Sequence, residues 1–432
     1  MQGDLLSAHR HRAASLAAIL LLLATTIAAV GCGRAPGGGS SAGAAAGTYR
    51  GAPIVLISID TLRSDHLPAY GYRRVETPAI DALRRDAVLF TRAYSHVPLT
   101  LPSHCSILSG RLPGDHGVRD NVGYHFDAAA WASLPLVLKQ AGYATGGAVS
   151  AYVLRGETGI SGGFDYWDSE VAMQLSAGLA QSRRAGKETA RLALAWLRGL
   201  RGLRGVAHRP LFLFLHLYEP HSPYTPPEPF ASRYKDSPYD GEIANADSVV
   251  GDVLAELKRL GIYERAIVVL LSDHGEGLGE HGEAEHGMLL YRTTLQVPLL
   301  LKLPGSRLGG TSVAAPAALV DVYPTLVSLV GLQPPAGLPG RSLLAPRLAA
   351  EGGEREIYAE TEYPRLHFGW SELSSLIHGR FHYIHGPDPE LYDLDADPAE
   401  VHEARERERR SFADLRGRIA RYQRRLQAPG AV

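Results

Sequence analysis

Cysteine is almost missing: Cys32 and Cys105 are the only two in 432 residues, which excludes a disulfide framework. An excess of one charge is missing too. Lys and Arg number 44 against 45 Asp and Glu, leaving a net −1, so nothing in the balance points to nucleic acid or an anionic membrane surface. Long apolar runs are limited to one, Ala13 through Val30, which is too few for a bundle of spanning helices. Internal repeats are lacking as well. What remains is 45% hydrophobic and 21% charged, the composition of an ordinary globular protein. The length suits one large α/β domain with an appended subdomain.

The N-terminus is read as address rather than fold. His9-Arg10-His11-Arg12 forms a basic n-region ahead of the apolar run, which ends at Gly31-Cys32, as in an export signal. Ala29-Val30-Gly31-Cys32 resembles a bacterial lipobox, with Ala29 at the position usually held by leucine. Cys32 would then carry lipid and become the new N-terminus. The Gly-, Ala- and Ser-rich stretch behind it has nothing to bury and suits a flexible tether over 33–51. The expectation is an exported protein held to the cell envelope by its lipid.

From Pro53 onward, short apolar runs alternate with helical stretches, the pattern of βαβ units and a mostly parallel sheet. Strands are predicted at Ile54–Ile59, Leu211–Leu215, Ala266–Leu271 and Val297–Leu301. They are too apolar for one wet face, so the sheet should be covered by helices on both sides. Thr77-Pro78 reads as an N-cap with proline in the first turn. Another helix is predicted from about Glu242 to Leu260, ending at Gly261. Past Pro335 the texture changes: His382–Ile384 and Glu390–Leu394 read as short antiparallel strands, and about Val401 to Leu426 as a charged terminal helix. The chain therefore divides into 52–335 and a small α+β subdomain over 336–432.

Three polar clusters follow predicted strands: Asp60-Thr61, His216 to His221, and Ser272-Asp273-His274-Gly275. Ligands in open α/β sheets bind outside the carboxyl ends of the strands, so these clusters describe one site. Asp60, Thr100, Asp273 and His274 supply two carboxylates, a hydroxyl and an imidazole, a mixed oxygen and nitrogen shell for a divalent cation. Thr100 would be ligand and nucleophile at once, since coordination lowers the pKa of a hydroxyl that is otherwise a poor nucleophile. It stands where a helix is predicted to begin, whose free N–H groups favour an anionic ester. Read singly, Asp60 is a helix cap, Thr100 a first-turn residue and Asp273-His274 a polar loop. Their order and placement favour a single site. His216, inside a strand, reads as a core histidine. Arg119 and Asn121 could reach the oxygens of an ester. Cys105 reads as a small buried residue of the helix.

These motifs resemble the sulfatase-like branch of the alkaline phosphatase superfamily. Val55 to Leu67 resembles the first sulfatase motif, Pro98 to Pro113 the nucleophile motif, and Ser272 to Glu276 with Gly279 to Pro298 the third. Asp321 to Leu326 and Leu391 to Leu394 complete the series, over about Pro53 to Glu400. Formylglycine sulfatases carry Cys or Ser, any residue, then Pro-Ser-Arg. Here Thr100 takes the first position and His104 that of the arginine, and threonine cannot become formylglycine. Thr61 replaces the second of two paired aspartates. No counterpart of the sulfate-holding Gly-Lys-Trp-His stretch occurs near Gly146 to Ala151.

The pattern resembles the threonine-nucleophile branch, the phosphoethanolamine transferases and lipoteichoic acid synthases. The resemblance implies one zinc or manganese ion, rather than calcium, on Asp60, Thr100, Asp273 and His274, with a second ion conceivable. It implies substrate contact, second-metal ligation or acid catalysis by His221 and His286. The function it implies is hydrolysis of phosphate or sulfate esters on a small, glycan-linked or lipid-linked substrate. An envelope transferase is the rival within enzymes, disfavoured by the single apolar segment. A binding protein that keeps the fold without turnover is the rival outside them, disfavoured by the complete ligand set.

Overall fold

The computed structural model describes residues 47–172, 182–202, 209–344 and 355–427. The export signal and most of the tether lie outside them. In chain order the strands are β1 Ile54–Ile59, β2 Val88–Phe90, β3 Ala93–Tyr94, β4 Ala144–Ala148, β5 Tyr166–Asp168, β6 Leu211–Leu217, β7 Ile267–Leu271, β8 Gln296–Val297, β9 Leu299–Lys302, β10 Ser312–Val313, β11 Ala317–Ala318, β12 Glu356–Thr361, β13 Leu373–His378, β14 Phe381–His385 and β15 Glu390–Asp393. Eight of them form the central sheet in the order β10-β2-β9-β7-β1-β6-β4-β5. β7, β1, β6, β4 and β5 run parallel, and β9 is antiparallel to both its neighbours.

Period-2 alternation explains why this sheet lies in the middle. On β1, Ile54 and Leu56 enter one apolar cluster while Val55, Ile57 and Ile59 enter the other. On β6, Phe212 and Phe214 face the first cluster and Leu211, Leu213, Leu215 and Leu217 the second. The helix Thr100–Ser109 covers the first face through Leu101, Cys105, Ile107 and Leu108. The helices Gly186–Gly202 and Pro238–Arg259 cover the second, through Leu194 and Leu197 and through Val250 and Leu257. The expected two-sided α/β architecture is what folds.

Several boundaries differ from expectation, each for a local reason. The strand predicted at Val297–Leu301 is two strands, because Pro298 has no N–H for a ladder. The helix expected from Glu242 begins at Pro238, a favoured first helical position. The hydroxyl of Thr77 caps nothing. The free N–H groups of Ala79 and Ile80 are instead met by the carboxylate of Asp247, at 3.1 and 2.7 Å. The terminal helix spans Arg409–Gln427, shorter than predicted. β12 to β15 form a separate antiparallel sheet in sequence order, backed by Leu415, Ile419 and Leu426 of that helix.

Candidate active site

β7, β1 and β6 are adjacent, so the three polar clusters emerge side by side at their carboxyl ends. Register fixes the depth: Ser58 of β1 lies opposite both His216 of β6 and Leu271 of β7. Asp60 then stands just above β1, and Asp273 and His274 just above β7. Thr100 opens the helix Thr100–Ser109, every residue of which is buried. Asn121, read as able to reach an ester, accepts the Leu101 N–H at 2.8 Å and supports that helix start beside Thr100. Arg119, read in the same way, pairs with Glu360 and Glu362 and ties the loop to the C-terminal sheet.

The four proposed ligands come together. His274 Nε2 lies 3.4 Å from Thr100 Oγ1, 3.5 Å from Asp60 Oδ1 and 3.5 Å from Asp273 Oδ2. His274 Nδ1 donates to the Gly275 carbonyl at 3.0 Å, which fixes the tautomer and turns the Nε2 lone pair toward the cluster. Among the described residues, neither Asp60 oxygen has a hydrogen-bond partner, nor has Asp273 Oδ2, although both side chains are fully buried. Burial lifts the Asp60 carboxyl to about 7. Burial, reinforced by the charge of Asp60, lifts Asp273 to about 7 as well. Burial lowers His274 to about 4, so its imidazole is neutral at pH 7. Two acids that resist ionisation beside a neutral imidazole are a poor ion cluster alone and a good one around a cation. Asp60, Asp273 and His274 can present ligand atoms all within 4.8 Å of one another.

The loop that carries Asp60 is held against strain. Thr61 has φ 53°, a left-handed value unusual for a β-branched residue. Tyr239 donates to its carbonyl at 2.7 Å and accepts the Arg63 N–H at 2.9 Å, while the Leu62 N–H donates to Ser272 Oγ at 2.9 Å. Conformations of this kind cost roughly 1–3 kcal/mol and persist where the surroundings over-determine them, often at functional sites.

His221 and His286 flank the cluster. The His286 ring is 4.4 Å from that of His274 and 4.9 Å from that of His221, centroid to centroid. His221 donates Nδ1–H to the Ser222 carbonyl at 2.7 Å, and His286 Nδ1 pairs with the Glu276 carboxylate at 2.9 Å. In both rings Nε2 is left for another partner. Burial lowers His286 to about 4; burial and then the His286 charge lower His221 to about 3. Sequence reasoning missed Glu276, Ser272 and Tyr239 as supports. It also misread His216, which is no satisfied core histidine: Nε2 stands 3.4 Å from Asp60 Oδ2, and neither ring nitrogen has a hydrogen-bond partner. His281 stacks on Tyr291, its ring 3.7 Å away.

Residues 53–332 match the family model described as Sulfatase. The chain belongs to the sulfatase family. A second model, N-sulphoglucosamine sulphohydrolase, C-terminal, matches residues 279–425 of this sulfatase. Arylsulfatase K of Bos taurus is 26% identical over 467 residues, 89% of this chain and 84% of its own. The ulvan-active sulfatase of Formosa agariphila is 28% identical over 335 residues, 67% of this chain and 64% of its own. The fold matches the phosphonate monoester hydrolase of Agrobacterium radiobacter with a TM-score of 0.71 at 24% identity, over 87% of this chain and 95% of that one. It matches a structure solved with D-glucosamine-2-N,6-O-disulfate with a TM-score of 0.72 at 20% identity, over 88% and 98%. Family membership makes the protein a hydrolase of sulfuric esters, and members of this family typically bind a divalent metal ion.

Proposed function

We propose that this sulfatase cleaves sulfate or phosphate esters in two steps, with Thr100 as nucleophile and Asp60, Thr100, Asp273 and His274 as ligands of one divalent cation. The observation that carries the reading is the convergence of the Thr100 hydroxyl on His274 Nε2, beside two buried carboxylates of which both Asp60 oxygens and Asp273 Oδ2 lack donors among the described residues. The donor set fits such an ion. Tetrahedral ligands at about 2.1 Å stand about 3.4 Å apart, close to the separations around His274 Nε2. An octahedron at about 2.4 Å gives similar edges, so spacing does not choose the ion; the imidazole donor supports zinc over calcium, and manganese is carried over from the resemblance. Bound there, the ion would lower the pKa of the threonine hydroxyl and neutralise charge on the ester oxygens.

The chain's own groups do the rest. Thr100 Oγ forms the bond to sulfur or phosphorus as the alcohol leaves. His221 and His286 offer Nε2 to the ester oxygens, and the charge of the arriving anion raises both pKa values so that they can donate. Glu276 holds the His286 ring and steadies its protonated form. Water then cleaves the threonine ester and releases sulfate or phosphate. The substrate is an anionic ester on a small molecule, glycan or lipid. Made in a host without a formylglycine-generating enzyme, the metal-loaded protein should turn over an aryl sulfate, phosphate monoester, phosphate diester or phosphonate. Inactivity on all four sinks the reading.

We further propose export and lipid anchoring through Cys32, supported by the basic, apolar and lipobox-like run of the first 32 residues. Wild type should incorporate labelled fatty acid and fractionate with membranes, and Cys32→Ser should do neither. Equal labelling of the two would reject the anchor.

A further inference from the structure

His216 is fully buried near the end of β6, on the face where Phe212 and Phe214 pack. An apolar residue would satisfy that position. A neutral imidazole always carries one N–H and one lone pair, yet neither nitrogen of His216 has a hydrogen-bond partner among the described residues. Nothing in the packing requires a histidine here, and burying one unpaired is unfavourable.

Its neighbours show what it is aimed at. Asp60 lies between two imidazoles: Oδ1 is 3.5 Å from His274 Nε2 and Oδ2 is 3.4 Å from His216 Nε2. Both oxygens lack a donor, and so does Asp273 Oδ2. His104, His216 and Asp273 make a second group whose ligand atoms lie within 4.8 Å of one another, and Asp273 belongs to the first group as well. His104 is already committed: Nδ1 bonds the Thr100 carbonyl at 2.7 Å and Nε2 the Ser58 hydroxyl at 2.8 Å. Its ring stands edge-on to His216 at 5.0 Å and walls that side. The free donors on this side are therefore His216 and the two carboxylates.

We propose that His216 is a metal ligand, forming with Asp60 Oδ2 and Asp273 a second divalent-cation position behind the one proposed for Thr100 and His274. The inference rests on that reading of the first position. The two carboxylates are shared: Asp60 has one oxygen toward His274 and the other toward His216, and Asp273 belongs to both donor groups, which accounts for buried oxygens that no donor satisfies. Two divalent ions beside two ionised carboxylates also bring four positive charges against two negative ones. That surplus suits an anionic ester better than one ion does.

The test is metal content and metal-induced stabilisation. Full-length protein is stripped with chelator, reloaded with zinc, dialysed and analysed for zinc per chain, and melted with and without the ion. Wild type should hold about two equivalents, and His216→Phe about one with a smaller zinc-induced rise in Tm. Without metal, His216→Phe should melt no lower than wild type, because it removes an unpaired N–H from an apolar face. His216→Leu gives the same readout if the larger ring does not fold. One equivalent in both wild type and variant, with equal rises in Tm, overturns the second position. A wild type that binds no zinc overturns the proposed metal site as a whole, which is a different failure.

Discussion

Thr100→Ala should lose kcat/KM on the order of 10⁴- to 10⁶-fold, the scale seen when a covalent nucleophile is removed. The variant loses the attacking oxygen and one proposed metal ligand together. Thr100→Ser keeps an oxygen on Cβ and should retain measurable activity. A substrate whose intermediate turns over slowly should leave a sulfo- or phosphothreonine on the peptide containing Thr100, seen by mass spectrometry. Near wild-type turnover by Thr100→Ala would reject the nucleophile. Cys105 could not easily take over, since it is fully buried and burial pushes its thiol well above the ordinary value. Direct attack by an activated water would remain.

Asp273→Ala should abolish metal binding and activity while the fold survives. Asp273 belongs to both donor groups, and its Oδ2 receives no hydrogen bond among the described residues. Metal analysis with circular dichroism checks the expectation, and undiminished metal with full activity would mean the site is misplaced. The metal-free forms add a second readout. Folded Asp273 titrates near 7 rather than at its ordinary 3.8, so the folded state binds its proton more tightly than the unfolded state. Metal-free wild type should therefore lose stability as pH rises from about 4 through 7. Asp273→Ala should show a shallower loss, because one of the two coupled carboxyls is gone. Bound metal should reverse the slope in wild type alone.

Legibility followed the geometry of the sheet. Asp60 and Asp273-His274 were readable because each directly follows an apolar run, and parallel strands deliver such residues to one edge. His221 was placed by its strand-end cluster, but its role, and His286 altogether, came only through resemblance; their spacing carries no period that places two loops against each other. His216 was misread because a strand histidine among leucines and phenylalanines has the local signature of a core residue. Only the register of β6 beside β1 shows that it faces Asp60. Arg119 and Asn121 have partners that only the fold reveals. Polar residues soon after the nucleophile looked available, but the first is paired by Glu360 and Glu362 from the C-terminal sheet and the second by a backbone N–H. The strained Thr61 was invisible, since nothing around it announces a left-handed backbone.

The adjacency of β7, β1 and β6 also has a kinetic side. Leu62 and Ser272, whose hydrogen bond locks the two halves of the site, are 210 positions apart. Pairings of that separation form late, after the loop-closure entropy of the intervening chain has been overcome. A ribosome-bound or unfolded chain thus offers Asp60 without Asp273 and His274, and isolated carboxylates hold zinc poorly. Metal capture at the proposed site would consequently be among the last events of maturation, in whichever compartment the chain completes its fold, and that compartment's metal supply would select the ion.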